Sequence, residues 1–179
     1  MCKNYWEFIA KFEEKISNVL LQEDYSNLVF LCVGTDKVVG DLVGPIVGNN
    51  LKKLENEYLQ IYGTLENTLN FRNAKEIIEK VYHDFKNPYL VTIDAALSAT
   101  NNKGEIILSE GYIKIGKALQ KSICFYSDVT IKCVVGKAYE EKDKNLKELK
   151  KASLKETTEI AEKVASGIKK VLKKSNIYV

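Results

Sequence analysis

The chain has 179 residues, a formal net charge of +3 and a single histidine. That length fits one domain over residues 1–179, which buries about 70% of its unfolded surface and needs no disulfide or metal staple. The small charge, with lysines mixed among glutamates, excludes a nucleic-acid footprint and reads as a solvated helix face.

In chain order, residues about 3–22 place Tyr5, Phe8, Ile9, Phe12, Ile16 and Leu20 at helical spacing, which predicts an amphipathic first helix. Charges run through this stretch, MCKNYWEFIAKFEEKI, so it is unlike a signal peptide. Asn27 to Val33 (NLVFLCV) is a continuous apolar run closed by glycine, the pattern of a strand buried on both faces. Leu42 to Leu54 reads as a helix with Pro45 in its first turn, where a missing N–H costs nothing. Tyr58 to Tyr62 predicts a second strand, Asn73 to Phe85 a second core helix, and Tyr89 to Ile93 a third strand ending at Asp94.

Turn residues at Asn101–Gly104 precede a fourth strand, Glu105 to Ser109, and Lys114 to Lys121 suggests a short helical turn. Asp128 to Val135 is a further strand. The charged stretch Lys137–Lys151 reads as a loop, and a long C-terminal helix is expected over about 146–173. No run approaches the roughly 20 apolar residues of a membrane span. Cys2, Cys32, Cys124 and Cys133 form no C-x-x-C, and Cys32 and Cys133 fall in apolar strands, where a free thiol acts as a small hydrophobe. A reducing, cytoplasmic setting is expected. Strands alternating with helices imply an α/β fold with a mostly parallel sheet covered by helices.

Ligands of an open parallel sheet bind beyond the carboxyl ends of its strands. Three loops answer that rule: GTDKVVGD with Asp36 and Asp41, GTLEN with Thr64 and Glu66, and DAALSAT with Asp94. Asp41 can also cap the helix through Pro45, worth about 1 kcal/mol. Asp36 can cap a turn. Asp94 follows an apolar strand, where an ionised carboxylate needs a hydrogen-bond network, a cation or a second carboxyl. Two close carboxyls split their pKa values, giving an acid and a base for amide hydrolysis. Converging oxygens would alternatively hold a hard divalent ion. The lone His83, beside Asp84 near a helix end, offers no nucleophile–histidine pair, and no phosphate-binding glycine motif occurs.

FLCVGTDKVVGDLVGP, YGTLEN and VTIDAALSA, in this order, resemble the YyaC-type sporulation proteins of spore-forming bacteria. That family is related to the germination protease, an aspartate endopeptidase, and shares a broader fold with the hydrogenase maturation proteases. The resemblance spans about Asn27 to Gly136 and then the C-terminal helix. It implies a three-layer α-β-α sandwich, a role in sporulation, and the catalytic pair Asp41 and Asp94. Acids in matching loops of the maturation proteases contribute to a nickel site with a histidine further on. This chain has no matching histidine, so no metal or other cofactor is expected. Where the family segment after GTL carries a proline and then a histidine, this chain has Thr68 and Asn70.

The expected function is a sporulation peptidase in which Asp41 and Asp94 share acid and base roles on a water, acting on a protein or peptide. Asp36 would support the pair, and Lys37, Thr64 and Glu66 would line the crevice. Backbone N–H groups of Gly40–Gly44 would face an oxyanion. The alternatives are a binding or scaffold protein that kept the fold without turnover, and a metal hydrolase using Asp36, Asp41 and Asp94.

Overall fold

The computed structural model describes residues 5–20, 25–116 and 122–175. Helix α1 (Tyr5–Leu20) leads into β1 (Asn27–Cys32), then α2 (Val43–Leu51) between two short 3-10 segments, Val39–Leu42 and Lys52–Leu54. There follow β2 (Leu59–Tyr62), α3 (Ala74–Asp84), β3 (Pro88–Ser98), β4 (Ile106–Ile115), β5 (Ile123–Lys137), α4 (Lys142–Lys151) and α5 (Leu154–Lys174). The sheet order is β2-β1-β3-β5-β4. The first four of these strands are parallel, and β4 alone runs antiparallel, against β5. The mostly parallel sheet between helical layers is therefore as expected.

Strand β1 shows why. Leu28, Phe30 and Cys32 enter one apolar cluster, with α1, α2 and α5. Val29, Leu31 and Val33 enter the other, with α3. Alternate side chains leave a strand on opposite faces, so an unbroken apolar run serves a sheet covered on both sides. Cys32 and Cys133 are fully buried in the first cluster, as small hydrophobes.

Several boundaries differ from those expected. Strand β3 continues to Ser98, so Asp94 lies within it, paired in register with Lys132 of β5. Strands β4 and β5 are longer than their apolar cores, because an antiparallel hairpin is satisfied by alternation alone. Lys114 is thus in a strand and not in a helical turn; residues 117–121 of that expected turn lie outside the described residues, as do 3–4 and 21–22 of the first helix. The charged stretch expected as a loop forms α4 from Lys142 onward, and the single C-terminal helix expected over 146–173 is two. Ala152 and Ser153 break it, with extended ψ angles of 139° and 132°. The Thr157 N–H then restarts the ladder on the Ser153 carbonyl at 2.9 Å.

The β4–β5 hairpin does more than extend an edge. Its register slips between Ser109 and Gly111, and Gly111 has φ +98°. Such a bulge bends the strand and increases its twist. Beyond it, Ile113, Ile115 and Phe125 pack into the same cluster as Val33 and Leu69, which lie at the carboxyl ends of the parallel strands. The arms therefore curl over the α3 face toward that rim. Ile115→Ala is expected to cost about 3 kcal/mol by leaving a cavity in this cluster, read as a lower urea midpoint.

Candidate functional site

At the carboxyl ends of β1 and β3 lies a cleft of about 410 Å³. Its acids are Asp36 and Asp41, from the loop after β1, and Asp94 from β3. Lys37 lines it too, and so does Asn70. These residues share the cleft because β1 and β3 are adjacent and in register, Cys32 opposite Ile93, so the loop that leaves β1 lies beside Asp94 where β3 runs on.

Asp41 lies within the 3-10 segment Val39–Leu42. Neither that segment nor α2 has a side-chain cap, so Asp41 is not the N-cap that its position before Pro45 suggested. Its carboxyl is largely withdrawn from water, and this burial raises its pKa from 3.8 to about 6, against a hydrogen bond from the Thr35 backbone that lowers it. The Asp41 N–H donates to the Val38 carbonyl at 2.9 Å, which removes it from the donors available to an oxyanion.

Asp94 continues the strand face of Leu90 and Thr92 and is half-buried. Burial first, and the Asp94 charge second, push the Cys133 thiol up, which fixes that thiol as a packing group. Asp36 is exposed and accepts a hydrogen bond from the Thr35 hydroxyl at 3.4 Å.

The other expected site residues fall elsewhere. Thr64 and Glu66 are not among the residues that line the cleft. Thr64 is buried and its hydroxyl accepts from the Asn67 N–H at 3.1 Å, closing the turn after β2, while Glu66 points to solvent. Only the second half of that loop turns inward, anchored by the Val33–Leu69 bridge. Gly40 and Gly44 act as close-packing positions. A Cβ on Gly40 would lie 2.8 Å from the Leu149 carbonyl oxygen of α4, and one on Gly44 1.9 Å from that of Val33.

Sequence reasoning missed five side chains of the cleft: Arg72 and Phe71 before α3, Lys114 from the hairpin, and the Leu146/Leu149 wall of α4. The helical spacing of Leu146 and Leu149 was the one signal that could have revealed that wall. Asn70 is committed to its own turn. Its amide donates to the Thr68 hydroxyl at 3.2 Å, and its carbonyl oxygen accepts from the Arg72 N–H at 3.1 Å.

The donor set does not suit a metal. Among the described residues no three histidines, cysteines or carboxylates come together as ligands. The lone His83 is exposed on α3 against Asp84, at 3.1 Å, and is not part of the cleft lining. A divalent ion on Asp36, Asp41 and Asp94 does not fit this arrangement. Nor is any helix among the described residues long and apolar enough to cross a membrane.

Residues 3–167 match the family described as protein of unknown function, DUF1256. The chain is 32% identical over 108 residues to the uncharacterized protein YyaC of Bacillus subtilis (strain 168), in agreement with the expected resemblance. That alignment covers 60% of this chain and 53% of the relative, so the chain spans about half the length of the curated relative it matches. Among solved structures it is similar to the NiFe hydrogenase maturation protease HycI from Thermococcus kodakarensis KOD1, with TM-score 0.57 and 19% identity over 90% of this chain and 98% of the other. A likeness to the E. coli hydrogenase maturating endopeptidase HybD has TM-score 0.46 and 12% identity, over 84% and 94% of the two chains. The likeness to HycI is one of fold.

Proposed function

The chain belongs to the DUF1256 family, and we propose that it is an aspartate-dependent peptidase whose cleft binds an extended protein segment. One observation carries this reading: Asp41, from the 3-10 segment after β1, and Asp94, on the adjacent strand β3, line one cleft, and burial lifts Asp41 to a pKa of about 6. A carboxyl poised there holds a proton in mild acid and gives it up near neutrality, which suits general acid–base work. Asp41 and Asp94 share a water placed against the scissile carbonyl. One removes its proton as the water attacks, and the other protonates the leaving amine. Asp36 orients the water from the exposed side, and Lys37 borders the bound chain.

The setting that goes with this activity is the cytoplasm of a sporulating cell. It rests on the resemblance to YyaC-type proteins and on the fold shared with a maturation protease.

The test is cleavage of an unstructured protein mixture from pH 4 to 8, with Asp41→Asn and Asp94→Asn run beside the wild type, each with and without chelator. Cleavage that falls about a hundredfold or more in both variants and ignores chelator is the expected result. A folded wild type that cleaves nothing at any pH would sink it.

A second reading is supported by Asn70. The family's histidine position holds an amide whose donor and acceptor are both used within its own turn. A protein of this fold that binds a segment without cutting it follows from that loss. It predicts tight binding of a segment that stays intact through the same pH series.

A further inference from the structure

We propose that Lys37, Arg72 and Lys114 form a subsite for a carboxylate, so that the cleft selects an acidic segment of the bound chain. The inference rests on the cleft being a peptide-binding site, and it does not require turnover.

The three cations come from three separate parts of the chain: the loop after β1, the loop before α3 and the end of β4. All three line a cleft of about 410 Å³, a volume that a few residues of peptide would fill. An occupant of that size meets every wall.

Some lysines outside the cleft pair with carboxylates, as in Lys15–Glu110, Lys52–Glu55, Lys80–Asp84, Lys103–Glu156 and Lys174–Glu13. Among the described residues Lys37, Arg72 and Lys114 are in no ion pair, although three acids line the same cleft. An anion brought by a ligand would complete what the fold leaves unpaired on these three cations.

Two of the three are directed by their backbones. The Arg72 N–H is tied to Asn70, and the guanidinium lies 5.7 Å from the Phe71 ring centroid. A planar guanidinium held against a ring presents its N–H fork to a carboxylate in two parallel hydrogen bonds. Lys114 stands between Ile113 and Ile115, whose burial in the core turns the lysine side chain outward. Asp36 and Asp41, on the same cleft, set an upper limit on the ligand's charge. A monoanionic carboxylate gains from the three cations at about half the repulsion that a phosphate dianion would meet from those acids.

The experiment measures binding to the Asp41→Asn chain, so that turnover does not enter the readout. Three short fluorescent peptides are compared by anisotropy: a capped Ala-Glu-Ala, an Ala-Ala-Ala with a free C-terminus, and a capped Ala-Gln-Ala. Binding of the glutamyl peptide about tenfold tighter than the glutamine peptide assigns the subsite to a side-chain carboxylate. The same preference for the free C-terminus assigns it to a chain end. In either case the preference should vanish in Arg72→Gln, weaken in Lys114→Gln and persist in part in Arg72→Lys. Equal binding of all three peptides, or a preference unchanged in both glutamine variants, overturns the proposal. Absence of cleavage by the wild type would bear on the peptidase reading alone, because the peptide preference is read without it.

Discussion

Asp41→Asn is expected to make the protein more stable at neutral pH while removing its activity. The sign follows from proton binding. The Asp41 carboxyl has a pKa of about 6 in the folded chain and an ordinary value of 3.8. Between those values the folded state holds more protons than the unfolded state, so stability falls as pH rises. What Asp41 contributes is fully present below pH 4 and lost as pH climbs through about 6, in all about 3 kcal/mol. Asparagine cannot ionise and has the shape of the neutral acid. The variant should match the wild type near pH 4 and exceed it by up to about 3 kcal/mol above pH 7. Urea unfolding at those two pH values checks it, and a difference that does not grow with pH would mean the carboxyl is not held as described. A residue that costs the fold stability at working pH is what a catalytic acid looks like in a denaturation curve.

Gly44→Ala should have the largest effect on folding. A Cβ there would lie 1.9 Å from the Val33 carbonyl oxygen, 2.7 Å from its carbon and 2.8 Å from its nitrogen. All three are main-chain atoms, so no side chain can turn aside. One helical turn on, a Cβ at Gly48 would meet the Gly63 carbonyl oxygen at 1.9 Å. Glycines at this four-residue spacing let α2 rest directly on the ends of β1 and β2. Alanine gains about 1 kcal/mol of helix propensity, against a displacement of helix from sheet that costs about 4 kcal/mol or more. Against the roughly 5–15 kcal/mol of a typical domain, much of the folded population is lost. The measurement is the urea midpoint beside Gly104→Ala, where nothing lies within 4 Å but φ is +85°. That control should lose only about 1–2 kcal/mol from its left-handed backbone.

Much of this architecture can be read from NLVFLC and from LVTI before Asp94, because strands covered on both faces have no polar side to disguise them. That Asp41 and Asp94 line one cleft follows from the loop after β1 and from β3 lying next to β1, an adjacency that an acid after an apolar run suggests in the sequence. The inner halves of β4 and β5 are legible as strands, but the outer arms of their hairpin are not. Tyr112, Ile113, Lys114 and Ile115 do alternate, but the run is short and a glycine interrupts it at Gly111. Its burial comes from crossing a face of the sheet, which no local pattern encodes. The same holds for Arg72 and Lys114, brought to the cleft by chain segments far apart in sequence. The first half of α4 reads as a loop, and the rest as the start of one long C-terminal helix, because KDKNLKELKK offers two leucines and no continuous apolar stripe. Thr64 and Glu66 were expected in the crevice because the whole GTLEN loop was treated as one unit, whereas it folds as a closed turn followed by an inward-facing segment.

The weak stripe of α4 has a consequence for the energy landscape of the native state. No residue of this helix is fully buried, and it ends at the Ala152–Ser153 break rather than running into α5. Leu146 and Leu149 rest on the cleft, and Glu148 accepts a 3.4 Å hydrogen bond from the Lys137 N–H. Such a segment opens at a small fraction of the free energy needed to unfold the sheet. Its amides should exchange with deuterium orders of magnitude faster than those of α5, and independently of denaturant. One wall of the cleft would then come and go many times within the lifetime of a single folded molecule, with the carboxylates behind it fixed in place.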